Sequence, residues 1–435
     1  MERIERTFVH FKDHIYQELG VYPADFIAFY EYADSLMNGK LNKALTFAYP
    51  EKWQEFTASC LAKGLLEPKD WIKEAPEEIG AYVKLISDPG YIVSINLDEI
   101  DEAFFSRDTF MKIAGLLSCE KSPDTGLLFY TQRGVLLDKP IYKIDDDNYL
   151  LFFHKHMLDA SYRYLINFCK EENESIFKHR DKLLEIKAEE LFKRFFSQKA
   201  FCYKNYYVDG KSEQDLLFLY KGLALIIECK ASSNREPLRN PLIAYERLTT
   251  DFNNNIQYGY DQTYRVKSKF IEGKQFDVTD KNGNKLYQIN PAKYSGVYSI
   301  VVTLDRFGMI QTDLSSMLAL HEDDEYPLAI NIDDLETILL VFAKQQAAIG
   351  KLQTYLKYRE KYHEHLICDD ELELCGLFLH DLRKFVTQSQ VEEIVVMDPG
   401  FTAVIEKAYR EGLGFLNERH YDAKIKKQIG YLYTE

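Results

Sequence analysis

The chain of 435 residues lacks most of the features that would commit it to a special class. Its seven cysteines (60, 119, 169, 202, 229, 368 and 375) are odd in number and widely spaced, with no CxxC pair. That argues against a disulfide framework or a structural zinc site, and leaves buried reduced thiols as the expectation. Long apolar runs are also missing. GLALII near Leu223 and TILLVFA near Leu339 fall short of the roughly 20 residues that a membrane span needs. The opening MERIERTFVHFKDHIYQ is charged throughout and has neither the basic nor the apolar stretch of a secretory signal, so a cytoplasmic protein is expected. No Walker-type loop is present, because Gly350-Lys351 lacks the earlier glycine and the Ser or Thr, and there is no GxSxG. Positive charge is in deficit as well: 54 Lys and Arg stand against 69 Asp and Glu, a net charge of −15. A surface of that sign does not attract nucleic acid or anionic membrane as a whole, so any such contact needs a local basic face.

What remains is the composition of a globular protein, 46% hydrophobic and 28% charged, long enough for two to four domains at roughly 100–200 residues each. Residues 1–120 read as helical: Ala24–Leu36 and Glu51–Leu61 space their apolar residues three and four apart. In 121–175 the period changes. Leu127–Leu137, Pro140–Ile144 and Tyr149–Phe153 read as a small β-meander, followed by a helical tract from Leu158 to Phe196. The segment 176–310 alternates strand and helix: FCYKNYYV, EQDLLFLY and LALIIECKA are strands, Pro241–Phe270 is helical, and Val297–Leu304 is a strand. Residues 311–435 read as mainly helical, over Asp333–Gln345, Leu352–His363 and Phe401–Leu416.

The strand pair around Lys221-Gly222 carries the chemistry. A short turn makes EQDLLFLY and LALIIECKA an antiparallel hairpin, so Asp215 at the start of one strand neighbours Glu228 and Lys230 at the end of the other. With period 2, Glu228 and Lys230 share a face while Ile227 and Cys229 take the opposite one. Charges ending so apolar a strand cost several kcal/mol unless they are paired or bound to a metal. Two adjacent carboxylates repel each other, and a hard divalent cation relieves the repulsion. A nearby lysine suits the orientation of water and the stabilisation of an oxyanion, the requirements of phosphodiester hydrolysis.

The pattern Asp-(x)12-Glu-x-Lys on a hairpin, with a glutamate-bearing helix before it and a glutamine-bearing helix after it, resembles the PD-(D/E)xK nuclease superfamily. It is most similar to the nuclease-related and Holliday-junction-resolvase-like branch. The likeness covers about Lys178–Leu304, and Gln214 stands where the literal motif has proline. The resemblance implies an α/β restriction-endonuclease-like mixed sheet flanked by helices, with Asp215 and Glu228 holding Mg²⁺ (or Mn²⁺) and Lys230 orienting the attacking water. It further implies a helix glutamate on the metal, Glu189 rather than Glu190, and an assisting glutamine, Gln262 or Gln257. Glu213, on the strand face of Asp215, would be an outer group. The implied activity is divalent-metal-dependent hydrolysis of DNA that leaves a 5′-phosphate, in bacterial antiphage defence, restriction or repair. A silent scaffold of the same fold and an RNA or small-phosphodiester hydrolase are the competing readings.

Charge distribution points to the same segment. Residues 176–275 hold 18 Lys and Arg against 13 Asp and Glu. Lys178, Arg180, Lys182, Lys193, Arg194, Arg235, Arg239, Arg247, Arg265, Lys267 and Lys269 are expected to line a phosphate-tracking groove, and Tyr203, Tyr206 and Tyr207 to offer rings for bases. The acidic helical regions are read as assembly modules, for a homo-oligomer or a protein partner. The pairs His154/His156 and His363/His365 lack a third ligand, and Ser122-Pro123-Asp124 and Asp398-Pro399 have no ExK downstream.

Overall fold

The computed structural model describes residues 1–45, 50–120, 134–152, 154–172, 175–210, 212–232, 235 and 240–415. The chain divides into two compact units, Met1–Lys178 and His179–Glu435.

In the first unit the helices Glu2–Phe8, Pro23–Leu45, Arg107–Leu117 and Met157–Glu172 accompany a small four-stranded sheet. The expected meander is there in part: Ile141–Lys143 and Asn148–Leu150 pair antiparallel. The expected strand Leu127–Leu137 is described only at its end. Its described end, Val135–Asp138, forms a helical turn, and 127–133 lie outside the described residues. A boundary at residue 120 is also overturned, because Phe8, Phe26 and Phe110 from the helices share one core with Ile141 and Tyr149 from the sheet. Strands of three residues bury too little to stand alone.

The second unit opens with helix α1 (Ser175–Phe195), nearly all of which belongs to it, and strands β1 (Phe201–Tyr206), β2 (Gln214–Tyr220) and β3 (Leu223–Lys230). These strands form an antiparallel meander, and the β2–β3 turn places Lys221 at φ 42° and Gly222 at φ 85°, as a two-residue hairpin requires. Helices α2 (Pro241–Phe252) and α3 (Tyr258–Ile271) follow, joined by a π-turn at Asn253–Gln257. A hairpin of β4 (Phe276–Thr279) and β5 (Lys285–Ile289) leads to β6 (Gly296–Thr303), parallel to β3, and β7 (Leu328–Asn331), parallel to β6. The sheet order is therefore β7-β6-β3-β2-β1, a mixed α/β layer. Helices α4 (Ile332–Ala343), α5 (Ala348–Arg359) and α6 (Glu371–His380) complete the labelled elements.

Alternation along the strands sorts the two faces. Leu216, Phe218, Leu225 and Ile227 pack with Phe192 of α1 and Leu339 of α4, while Leu217, Leu219, Ala224 and Ile226 pack with Val266 and Phe270 of α3. The expected boundary at 310 fails here, because β7 pairs along β6 and so belongs to the same sheet. A four-residue strand buried on both faces carries no alternation for a sequence reading to find. Among the described residues no helix is long and apolar enough to cross a membrane.

Candidate active site

Asp215 and Glu228 meet where the β2–β3 ladder ends. Backbone pairing runs from Tyr220↔Leu223 to Leu216↔Ile227 and stops there. Beyond that point each carboxylate satisfies the amide that the ladder leaves open: the Asp215 N–H donates to Glu228 Oε1 at 3.0 Å, and the Cys229 N–H donates to Asp215 Oδ2 at 2.8 Å. Pairing with β1 is interrupted at the same level, because Asn205 takes φ 49° between Lys204↔Leu216 and Tyr206↔Gln214. Asp215 is thus freed from both neighbouring ladders, and among the described residues none donates a hydrogen bond to its Oδ1.

Lys230 lies on the face of Glu228, as the period requires, and its Nζ donates to Glu228 Oε2 at 3.1 Å. The ammonium also lies 5.0 Å from the centre of the Tyr258 ring. Glu228 is fully buried and the Lys230 side chain is only 13% exposed. Burial first, and then the Asp215 carboxylate, push the Glu228 carboxyl up to about 8 against the pull of Lys230. Burial alone would lower the Lys230 ammonium, but Glu228 and Asp215 outweigh it and hold the pKa above its ordinary value.

The structure does not bring Glu189 to this cluster. Its two oxygens take Lys193 Nζ at 2.5 Å and Lys204 Nζ at 3.2 Å. Glu190 is an exposed surface acid. The helix acid beside Asp215 is Glu185, one turn earlier, which bonds Lys182 at 2.5 Å. Burial raises its pKa, and Asp215 and Glu213 raise it further against Lys182. Apolar neighbours along α1 single out Glu189 and give no sign of Glu185. Because α1 runs back along β1, an earlier turn of α1 faces the start of β2. Glu213 is exposed and held by Asn205 Nδ2 at 2.7 Å and the Tyr207 hydroxyl at 2.9 Å, an outer position.

The two glutamines separate cleanly. Gln257 accepts from the Ala319 amide at 2.8 Å and donates to Asp261 at 2.8 Å, so it serves to clip a loop. Gln262 is buried on α3 with its Oε1 unpartnered, one turn from Gly259, whose packing surface touches Lys230. Tyr206 is fully buried with an unpartnered hydroxyl, and so is not a stacking surface for bases.

The expected basic groove is mostly spent on local partners. Arg180 pairs with Asp181, Lys182 with Glu185, Lys193 with Glu189, Arg235 with Asp251, Lys267 with Asp324 and Lys269 with Glu272, while Arg194 donates to the Gly414 carbonyl. Arg239 lies outside the described residues. A count of charges along the sequence cannot see such pairing. The histidine pairs are dispersed too: His154–His156 form a 3-10 turn with His154 on Asp34, and His363 is buried beside Arg359 while His365 lies against the Gln388 carbonyl. Asp398 caps a turn at Gly400, and Ser122–Asp124 fall outside the described residues.

Among the described residues no three His, Cys, Asp or Glu groups form a ready cage for a metal. Two carboxylates with residual lone pairs and a local excess of negative charge nevertheless fit Mg²⁺, which keeps waters and takes one or two carboxylates plus substrate phosphate. No protein-family model, curated protein or solved structure matches the chain.

Proposed function

We propose that the second unit is a divalent-metal-dependent nuclease of the restriction-endonuclease-like class, acting on DNA. The carrying observation is the partly buried Asp215–Glu228–Lys230 group where the β2–β3 pairing ends, with each acid bonded to the opposite strand. The order helix, three-strand meander, helices and parallel strand, in α1-β1-β2-β3-α2-α3-β6, supports the same reading.

Asp215 and Glu228 would hold the cation, with Glu185 beside them. When bound, it supplies polarisation of the phosphodiester and acidification of water. The chain's own residues do the rest. Glu228 orients Lys230, whose ammonium holds its proton and donates to the charge that develops on the phosphate oxygens in the transition state. Burial among apolar strands limits water around these charges and strengthens their fields. Gln262 offers its amide from the α3 side.

The test is cleavage of plasmid, linear and single-stranded DNA and of RNA, with Mg²⁺, Mn²⁺ or chelator, by wild type, Asp215→Ala and Lys230→Ala. Metal-dependent cleavage lost in both variants is expected. Cleavage that ignores chelator or survives both substitutions defeats the proposal.

A further inference from the structure

Tyr258 occupies a place that the hydrolytic chemistry does not require. It opens α3 directly after the π-turn, with its ring against the Lys230 ammonium at 5.0 Å, yet it remains 55% exposed. The next residue explains how it gets so close. A Cβ on Gly259 would lie 2.7 Å from Val301 Cγ1 and 3.4 Å from Lys230 Cγ, so only glycine lets the start of α3 approach β3 and β6 this tightly. The preceding π-turn adds a residue to the helical path and sets the phase at which Tyr258 emerges. Among the described residues the Tyr258 hydroxyl takes part in no hydrogen bond, so a half-exposed ring stands at the rim of the charge cluster.

A phosphodiester that reaches Lys230 brings its flanking nucleoside over this rim. A cation against one part of an aromatic ring leaves the remainder free for stacking, and stacking on a base tolerates any sequence. A base inside a duplex is already stacked on both sides and cannot use the ring unless it is extruded. Resting on the nuclease reading above, we infer that Tyr258 is the nucleobase platform of the site. The substrate is then a polynucleotide with an unstacked base beside the scissile phosphate, not a small phosphodiester and not continuous duplex.

The experiment measures kcat and KM for wild type, Tyr258→Ala, Tyr258→Leu and Tyr258→Phe on single-stranded oligonucleotides, DNA and RNA, whose cut has been mapped. A matched set carries one abasic nucleotide beside the cut. Tyr258→Ala and Tyr258→Leu are expected to raise KM about tenfold on the intact strand, with Tyr258→Phe within about twofold of wild type. On the abasic strand the variants and wild type should converge. Unchanged KM in Tyr258→Ala, an equal loss on the abasic strand, or faster cutting of paired duplex than of single strand overturns the inference. If Asp215→Ala abolishes cleavage while Tyr258→Ala is indifferent, only the platform falls. If wild type shows no metal-dependent, Asp215-sensitive cleavage, the nuclease reading falls and takes the platform with it.

Discussion

Two ionic clusters of the second unit, one buried and one partly buried, differ in their degree of completion. In one, Arg359 of α5 is 1% exposed, and its Nε and Nη2 reach both oxygens of Glu371 on α6 at 2.8–3.1 Å. The remaining donors meet the Thr312 carbonyl at 2.6 Å and the His363 ring at 3.1 Å, and the Tyr355 hydroxyl completes Glu371 at 2.5 Å. In the other, two acids face one lysine, Asp215 Oδ1 takes no hydrogen bond among the described residues, and the Glu228 carboxyl is pushed up to about 8. A buried charge is therefore not a functional sign in itself. The saturated cluster joins α5 to α6, whereas the unbalanced one is the group proposed to take a cation and a phosphate.

Substitution in each cluster should give contrary results, which is the sharpest way to break the comparison. Asp215→Asn removes one of two repelling carboxylates, so cleavage is expected to fall by about 10²–10³-fold or more with no loss of melting temperature. Arg359→Met leaves Glu371 buried and unpaired, and should cost about 3–5 kcal/mol in urea denaturation. Should Asp215→Asn unfold the protein, or Arg359→Met cost under about 1 kcal/mol, the division between working and structural cluster is wrong.

The meeting of Asp215, Glu228 and Lys230 was legible in the sequence because local rules fix it. The Lys221-Gly222 turn sets the hairpin register, the register sets Asp215 opposite Glu228, and period 2 sets Lys230 beside Glu228. The helix acid was not legible on the same terms. Glu185 and Glu189 lie four residues apart on one stripe of α1, and only the height of the helix against the sheet decides which meets Asp215. The saturated cluster was invisible for a similar reason, since Thr312, Arg359, His363 and Glu371 come together through tertiary packing. His363, whose pairing with His365 offers no third metal ligand in the sequence, belongs to this structural network. The basic groove misled because charges adjacent in sequence neutralise one another in space, as Lys193 does with Glu189.

The two clusters should also pull stability in opposite directions with pH. Glu228 has a folded pKa raised to about 8, so its contribution is full below its unfolded value and is lost as pH rises towards 8. His363 is lowered to about 3, chiefly by burial and then by Arg359, so the unfolded chain takes up its proton first and stability falls as pH drops below about 6.5. Denaturation between pH 5 and 8.5 should show Glu228→Gln flattening the alkaline limb and His363→Gln the acid limb, by about 1–2 kcal/mol each. Mg²⁺ should restore the alkaline limb in wild type only. Identical pH profiles in all three proteins would remove the electrostatic basis of the comparison.

The smallest expected effect tests where the Asp215–Glu228–Lys230 cluster ends. Glu189 is already neutralised by Lys193 and Lys204, both substantially exposed, so Glu189→Gln should cost no more than about 1 kcal/mol of stability and leave cleavage within about twofold. Glu185 faces Asp215 and Glu213, and its loss removes negative charge that would help hold a cation, so Glu185→Gln should lower kcat/KM by roughly three- to tenfold and raise the Mg²⁺ needed for half-maximal rate. The Mg²⁺ titration is the discriminating readout, because a merely structural effect of Glu185→Gln would lower the rate without shifting the metal requirement. If Glu189→Gln shifts that requirement and Glu185→Gln does not, then Glu189 exchanges its lysines for the metal once substrate is bound. The boundary of the cluster would then lie one turn further along α1.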